Sequence, residues 1–433
     1  MKRLLLFASK LGYQTRAFDA AAKKLGVEIV FVTDRCHQLD DPWRDRALPV
    51  HFEAPQEAAR AVCESQRGKQ VDGILVLGDR PGPAAAYAAT GLGILHNLPV
   101  SVEAAGSKVR ARSVLRDAGL PVPWFRQISL SPIPEPAFLG MQYPCVLKPL
   151  SLSASQGVIR ANNREEFLAA ATHIKRLLES PEIRATREAR LDQILVEGYL
   201  PGREVAVEAL LTQGALRVLA IFDKPDPLEG PYFEETIYLT PSRLSESQQG
   251  AILDSLQASV HAFGFLHGPI HAEFRINETG VWPIEIAPRP IGGLCARSLR
   301  FALASSKEQI GLEELLLRHA VELPGDDAPR ENVASGVMMI PVPRSGILAG
   351  VEGQQSAQKT PGVTSIEITA RVHDYIAAWP DGSSYLGFIF AFAETPQEVE
   401  SSLRSAHAQL NFTITPRLPV EHPVTGKIHT TGN

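Results

Sequence analysis

The chain has few cysteines, no long apolar run and no excess of positive charge, and each shortage removes a class of function. Cys36, Cys63, Cys145 and Cys295 are the four cysteines among 433 residues, and no two are spaced as a zinc or thiol–disulfide pair. That usage fits a reduced cytoplasm, with Cys145, inside an apolar run, expected in the core. No stretch approaches the roughly 18 apolar residues that a bilayer span needs. The opening MKRLLLFASK starts basic, but its apolar run is too short for a signal peptide and reads as a first buried strand. Net charge is −5 and no Lys/Arg cluster stands out, so neither nucleic acid nor a membrane surface is an expected partner. The motifs GxGxxG, GxxxxGK(S/T) and HExxH are absent, as are repeats and low-complexity tracts. What is present is 44% apolar and 21% charged, an ordinary globular composition for about three domains at roughly 150 residues each.

The first part of the chain alternates strand and helix. KRLLLFAS, VEIVFVTD and VDGILVLG read as strands, and QTRAFDAAAKKLG as a helix ending at Gly26. Such βαβ order implies a doubly wound parallel sheet. The segment 99–123 reads as one helix bounded by prolines, with Lys108 on its exposed face. Then comes a Pro-rich loop, SPIPEP, before the strand YPCVLKPL, the polar loop SLSASQG, VIRAN, and a helix from Arg164 to Glu179. DQILVEGYLPGREVAVEALL reads as strand, tight turn and strand, so a small α+β unit is expected here. Longer strands follow (VAVEALL, ALRVLAIF), then the loop DKPDPLEGPYFEET, a helix near 246–263 and a hairpin. GDDAPR (325–330) reads as a linker. The last part shows the strands SGVMMIPV, SIEITA and YLGFIFAFA and a helix over 395–409.

The hairpin, HAEFRINETGVWPIEIAPRPIGG, carries the most chemistry. HAEFRI and VWPIEI alternate side-chain faces around a bend at Asn277–Gly280. Glu273 and Glu285 can therefore share one face, where two like charges call for a cation, and oxygen ligands select Mg²⁺ or Mn²⁺. A surface hairpin with a charged face accounts for the same pattern. Arg289 follows in a Pro-Arg-Pro turn. Lys148 stands where a strand meets a Ser/Gly loop whose backbone can approach phosphate oxygens, although lysines beside serines are common in ordinary loops. In LVEGYLPGREVAVE, Glu197 ends a strand and can accept from an adenine amino group, while Glu204 can accept from ribose hydroxyls. Taken alone, the run is read more simply as two solvated acids flanking a hairpin turn. His271 shares the face of Glu273 and is a candidate to contact substrate or phosphate, or to deprotonate an amine. A hydrogen-bonded structural histidine is the alternative. Tyr232, Phe233, Glu234 and Glu235 crowd one loop, where an acid can hold an α-ammonium group or simply cap the backbone.

Taken in order, Lys108, Lys148 with its serine loop, Glu197 with Glu204, and Glu273 with Glu285 resemble the ATP-grasp superfamily over roughly 100–300. The resemblance implies an ATP-grasp fold of α/β class, with an N-terminal doubly wound α/β domain over 1–104. A linker helix and small lid subdomain would occupy 105–205, a catalytic subdomain 206–335, and a C-terminal α+β domain 336–433. It implies that Lys108 and Lys148 hold nucleotide phosphates. Ser153, Ser155, Gln156 and Gly157 would lie in the loop closing over them. Glu197 with the backbone of Gly198, Tyr199 and Leu200 would meet adenine, and Glu204 ribose. Glu273 and Glu285 would bind Mg²⁺ (or Mn²⁺) beside ATP. One departure is Glu285-Ile286-Ala287, where many members have Glu-x-Asn, so a third ligand is missing. Glu-x-Ala-x-Arg followed by Gly-Gly is similar to the L-amino acid ligase branch, as are DKPDPLEGPYFEETIYLTPS and the C-terminal YLGFIFAFAETPQEVESSLRSAHAQLNF. In that branch Arg289 would hold the phosphate or the tetrahedral intermediate. The implied activity is an ATP-dependent carboxylate–amine ligase making an amide, a dipeptide above all, through an acyl phosphate. Its partners would be a carboxylate and an amine substrate, and a homodimer is admitted. A ligase acting on another carboxylate, a phosphotransferase, and a nucleotide-binding regulator with a decayed site are the rival readings.

Overall fold

The computed structural model describes residues 1–9, 12–34, 47–131, 133, 138–188, 191–304, 306, 308–416, 420–421 and 428–429. Cys36 and most of the SPIPEP loop lie outside them. The chain divides into two compact units: Met1–Val122 with Glu204–Asp223 and Thr240–Val333, and Pro123–Arg203 with Lys224–Leu239 and Ala334–Asn433. Among the described residues no helix is long and apolar enough to cross a membrane.

In the first unit, Ala47–Pro49, Glu28–Thr33, Arg3–Ala8 and Gly73–Leu77 lie side by side in that order, all parallel. The expected doubly wound sheet is thus present. Its central strand is apolar on both faces, and Leu4, Leu5, Leu6 and Phe7 are fully buried, as a parallel sheet requires. A second sheet of this unit orders Gly280–Ala287, Gly268–Asn277, Arg203–Thr212 and Ala215–Asp223. Helix Glu246–Phe263 covers it through Ile252, Leu256, Val260 and Phe263, which pack with Ile270, Ala272 and Phe274. That helix begins where Ser245 and Gln248 form a capping box.

The segment 99–123 is not one helix. It breaks into Pro99–Gly106 and Lys108–Asp117, with Ser107 in an extended conformation capping the second. Gly106 favours a helix end and Ser107 a start, and the two neighbours together outweigh the continuous apolar pattern. The break resets the helical phase. Lys108 therefore opens the stripe that continues through the buried Arg112 and Leu115 and is half-buried, not solvated.

The second unit holds an antiparallel sheet ordered Phe125–Ser129, Gln193–Gly198, Cys145–Pro149, Ile159–Ala161. Helix Arg164–Leu178 packs on it through Phe167, Ala170, Ala171 and Ile174. Cys145 is buried as expected, its thiol pushed up to about 12 by burial. The C-terminal part sets strands Ala334–Ile340, Gly387–Ala393 and Val363–Ile368 side by side. Helix Pro396–His407 covers them through Val399, Leu403 and Ala406.

Candidate active site

The hairpin pairs Glu273 directly with Glu285, and a local irregularity makes that pairing. From the turn, Asn277 pairs with Gly280, Ile276 with Val281, Arg275 with Trp282 and Phe274 with Pro283. Continued regularly, that register would set Glu273 opposite Ile284. A β-bulge intervenes after Phe274 and advances the second strand by one residue, so Glu285 takes the place. The bulge is held from outside the hairpin: the buried Arg112 donates from Nη1 to the Ile284 carbonyl at 2.9 Å. Ala287 opposes His271 and is 4% exposed, so a methyl group stands where a third ligand would be.

Charge around this pair is arranged with both signs. Desolvation and then the Asp79 carboxylate push Glu285 above the usual carboxylate range, with Glu273 adding to the effect. Arg289 counters this, its Nη2 donating to Glu285 Oε1 at 3.1 Å. The same guanidinium forks onto Asp79, from Nε at 2.7 Å and from Nη2 at 3.4 Å. Burial opposes the charge on Asp79, but Arg289 and then Lys108 outweigh it and hold this carboxylate below its ordinary range. Burial likewise opposes charge on Arg289, which Asp79 and Glu285 overcome.

His271 is 4% exposed and fixed on both nitrogens. Nδ1 makes a short contact with Glu208, and Nε2 lies 3.5 Å from Glu273. Burial works against the imidazolium, but the Glu208 carboxylate and the hydrogen bonds to Glu208 and Glu273 raise its pKa to about 9. A buried imidazolium has no free lone pair for an amine proton, so the expected base role does not fit. Glu208 Oε2 also accepts from the Ile291 amide at 3.1 Å, so one carboxylate orients His271 and anchors the turn that carries Arg289. Glu204, four residues earlier, accepts from Arg275 Nε at 2.9 Å.

The other expected residues belong to the second unit. Val146 pairs with Glu197 across the sheet, placing Lys148 diagonal to that acid. Lys148 Nζ lies 2.6 Å from Glu197 Oε1, with the two side chains 15% and 4% exposed. The amides of Gly198 and Tyr199 already donate to the Trp124 and Pro144 carbonyls at 2.9 and 3.1 Å. Both amides are thus engaged within the fold. Beside Glu197, Val146, Leu228 and Phe233 form a small apolar cluster with Val158 and Tyr199, a surface suited to a planar base. Ser153 and Ser155 sit in a turn in which Ala154 and Ser155 both have φ of 54°, a left-handed conformation costing about 1–2 kcal/mol per residue without glycine. Gly157 follows at φ 70°, where an added Cβ would stand 2.8 Å from Pro149 Cγ and 3.1 Å from Leu177 Cδ2. A strained turn of small residues ending in an obligatory glycine leaves no bulky side chain in the way of an anion beside Lys148, while its Gln156 and Val158 amides already donate to the Ser153 and Ser155 carbonyls at 3.2 and 3.1 Å.

Four groups escaped the sequence reading. Asp79 had a readable signal, since it follows the parallel strand Gly73–Leu77, and the carboxyl ends of such strands are where ligands collect. Lys224 had one too, a lysine at the start of a Pro-rich loop. It is 8% exposed and pairs with Glu235 Oε1 at 2.5 Å, while Tyr238 donates to the other oxygen at 2.6 Å. Glu208 and Arg112 had none, because nothing local distinguishes either. Of the crowded loop acids, Glu235 is thus engaged by Lys224, whereas Glu234 has a buried Oε1 with no hydrogen-bond partner. Burial pushes the Glu234 carboxyl up to about 7, against a bond from the Val342 backbone.

The donor set suits the groups the sequence pointed to. Two paired carboxylates, one of them reluctant to ionise, match a hard divalent cation. Lysine with a small-residue loop matches phosphate oxygens.

Three family models match the chain: an ATP-grasp N-terminal domain over 18–95, an ATP-grasp domain over 141–298 and an L-amino acid ligase C-terminal domain 2 over 338–415. A crystal structure of an L-amino acid ligase from Bacillus licheniformis superposes with a TM-score of 0.76 at 25% identity, over 96% of this chain and 99% of that one. Among curated proteins, the uncharacterized protein y4rH of Sinorhizobium fredii is 25% identical over 73% of this chain, and a D-alanine–D-alanine ligase of Geobacter sulfurreducens is 26% identical over 49%. The chain spans 63% of the length of each of these two relatives.

Proposed function

Because the chain belongs to the ATP-grasp superfamily and carries that fold with N- and C-terminal domains, we propose that it is an ATP- and Mg²⁺-dependent carboxylate–amine ligase joining amino acids into a dipeptide. The observation that carries this reading is the bulged register that pairs Glu273 with Glu285 while Arg289 returns to Glu285. The superposed L-amino acid ligase and the matching C-terminal domain support the amino-acid substrate.

A carboxylate acylates poorly because its leaving group would be oxide. One carboxylate oxygen of the first substrate attacks the γ-phosphorus of ATP, breaking the bond to ADP and giving an acyl phosphate. The amine of the second substrate attacks the acyl carbon, phosphate departs, and the ammonium proton is lost. Mg²⁺, held by Glu273 and Glu285, would neutralise phosphate charge. Arg289, fixed by Asp79, supplies preorganised positive charge for the oxyanion. Lys108 and Lys148 serve the phosphates, Glu197 and the Val146–Phe233 cluster the adenine, and Glu204 the ribose. The loop Ser153–Gly157 would cover the acyl phosphate and keep water from it. His271 holds Glu273 in place and takes no proton. Glu234, with an oxygen awaiting a donor, receives an ammonium group of a substrate.

Incubation with ATP, Mg²⁺ and pooled amino acids should release ADP and phosphate and yield new amide masses. No amide from any of the twenty would overturn dipeptide synthesis. Phosphate release independent of added amine would instead indicate a phosphotransferase.

A further inference from the structure

The loop assigned to the ATP phosphates does not hold its shape alone. Its strained turn at Ala154 and Ser155 persists only if neighbours over-determine it. Those neighbours lie in the C-terminal part of the same unit, in the turn Trp379–Gly382. The Gly157 amide donates to the Pro380 carbonyl at 2.8 Å. Gln156 Nε2 donates to the Asp381 carbonyl at 2.7 Å, across 225 positions of sequence. The Asp381 side chain then turns away to helix Arg164–Leu178, where Oδ1 lies 2.6 Å from His173 Nε2. Arg176 Nη2 lies 3.3 Å from His173 Nδ1, and since a guanidinium only donates, Nδ1 accepts and Nε2 carries the proton given to Asp381. The turn itself is tight: amides of Asp381 and Gly382 donate to the Ala378 carbonyl at 3.1 and 2.9 Å. A Cβ on Gly382 would fall 2.1 Å from the Ala377 carbonyl oxygen.

We propose that the turn Trp379–Gly382 is a clasp for the phosphate loop, with Asp381 and His173 as positioning residues that determine ATP affinity. The inference rests on the ligase reading for its ATP half only. Two backbone carbonyls of the clasp fix the loop, and the Asp381–His173 bond fixes the clasp to the helix that also packs Leu177 against Gly157. The C-terminal domain thus braces the loop of a nucleotide site through backbone carbonyls.

The test is hydrogen exchange over 152–160, measured with ATP kinetics on the full-length protein. In Asp381→Ala and His173→Ala, exchange of that segment should quicken about tenfold. KM for ATP should rise by a similar factor while kcat stays within about twofold. The double variant should be no worse than either single one. Asp381→Asn retains the acceptor and should restore both readouts. Wild-type exchange in both alanine variants would overturn the clasp, and so would quickened exchange with an unchanged KM for ATP. A protein that binds no ATP would overturn the ligase reading instead, and the exchange rates would still decide for or against the clasp.

Discussion

Replacing Asp79 by asparagine isolates the electrostatic support of Arg289. The fork consists of a short contact to Oδ1, at 2.7 Å, and a longer one to Oδ2, at 3.4 Å. Asparagine preserves shape and can keep its oxygen on the shorter contact. It replaces the second oxygen by an NH₂ group facing a guanidinium N–H, and it removes the negative charge. A hydrogen bond to a charged partner is worth about 1.5–3 kcal/mol, and part of one survives, so the net loss is about 2 kcal/mol. If Arg289 acts in the transition state, that loss appears as a fall of about 30-fold in kcat. KM for ATP should move far less than kcat, because Asp79 hydrogen-bonds Arg289, whereas Lys108, the second cation acting on it, keeps its own charge. Amide formation under saturating substrates reads this directly. Arg289→Lys supplies the control, since an ammonium cannot make the fork. In that background Asp79→Asn should add little, because both changes remove the same interaction. Turnover of Asp79→Asn within twofold of wild type, or full additivity with Arg289→Lys, would refute the assignment.

Glu285→Gln removes half of the paired carboxylates and should cost about a hundredfold in kcat, with half-saturation by Mg²⁺ shifted upward in a metal titration. Glu234→Gln should raise KM for one amino-acid substrate with kcat retained. In wild type that KM should fall as pH rises through 7, because the carboxyl, pushed up to about 7, must ionise to receive an ammonium. His319 is 3% exposed, hydrogen-bonds Thr212 at 2.9 Å and is lowered to about 4, by burial first. Between its unfolded value of 6.5 and about 4 the unfolded chain binds a proton that the folded chain does not. This contribution to stability is therefore present above 6.5 and fades as pH falls toward 4, by about 3 kcal/mol in total. His319→Gln should flatten that loss, as read from urea midpoints at pH 7 and pH 4.5.

The residues made some of this arrangement legible and hid the rest for identifiable reasons. Alternating apolar residues and the Asn277–Gly280 bend located the hairpin, since period and turn chemistry are local properties. The same local reasoning failed at Ser107, where a glycine and a serine end one helix and start another inside a continuous apolar pattern. That failure misplaced Lys108, because a single break rotates every later side chain about the helix axis. The bulge at Ile284 was invisible for a different reason. Its stabiliser is Arg112, 172 positions away, and no window around the hairpin contains it.

Arg289 shows how far this distinction reaches into function. Its turn could be read from Pro-Arg-Pro-Ile-Gly-Gly, yet the turn is anchored by Glu208 and the guanidinium by Asp79, 83 and 210 positions away respectively. A carboxylate at the end of a parallel strand reaches this arginine, and another inside an antiparallel strand reaches its turn, only after the two sheets that carry them have formed. The charge that would meet an oxyanion is therefore a product of packing, and the sequence motif supplies only the side chain. It follows that substitutions at the buried Glu208 should lower kcat by displacing Arg289 and His271 together. Glu208→Gln keeps the acceptor for the Ile291 amide but loses the charge facing His271, so it separates the two effects. A fall in kcat with the Arg289 turn unmoved in the variant's crystal structure would assign the loss to His271. A displaced turn would assign it to the anchor.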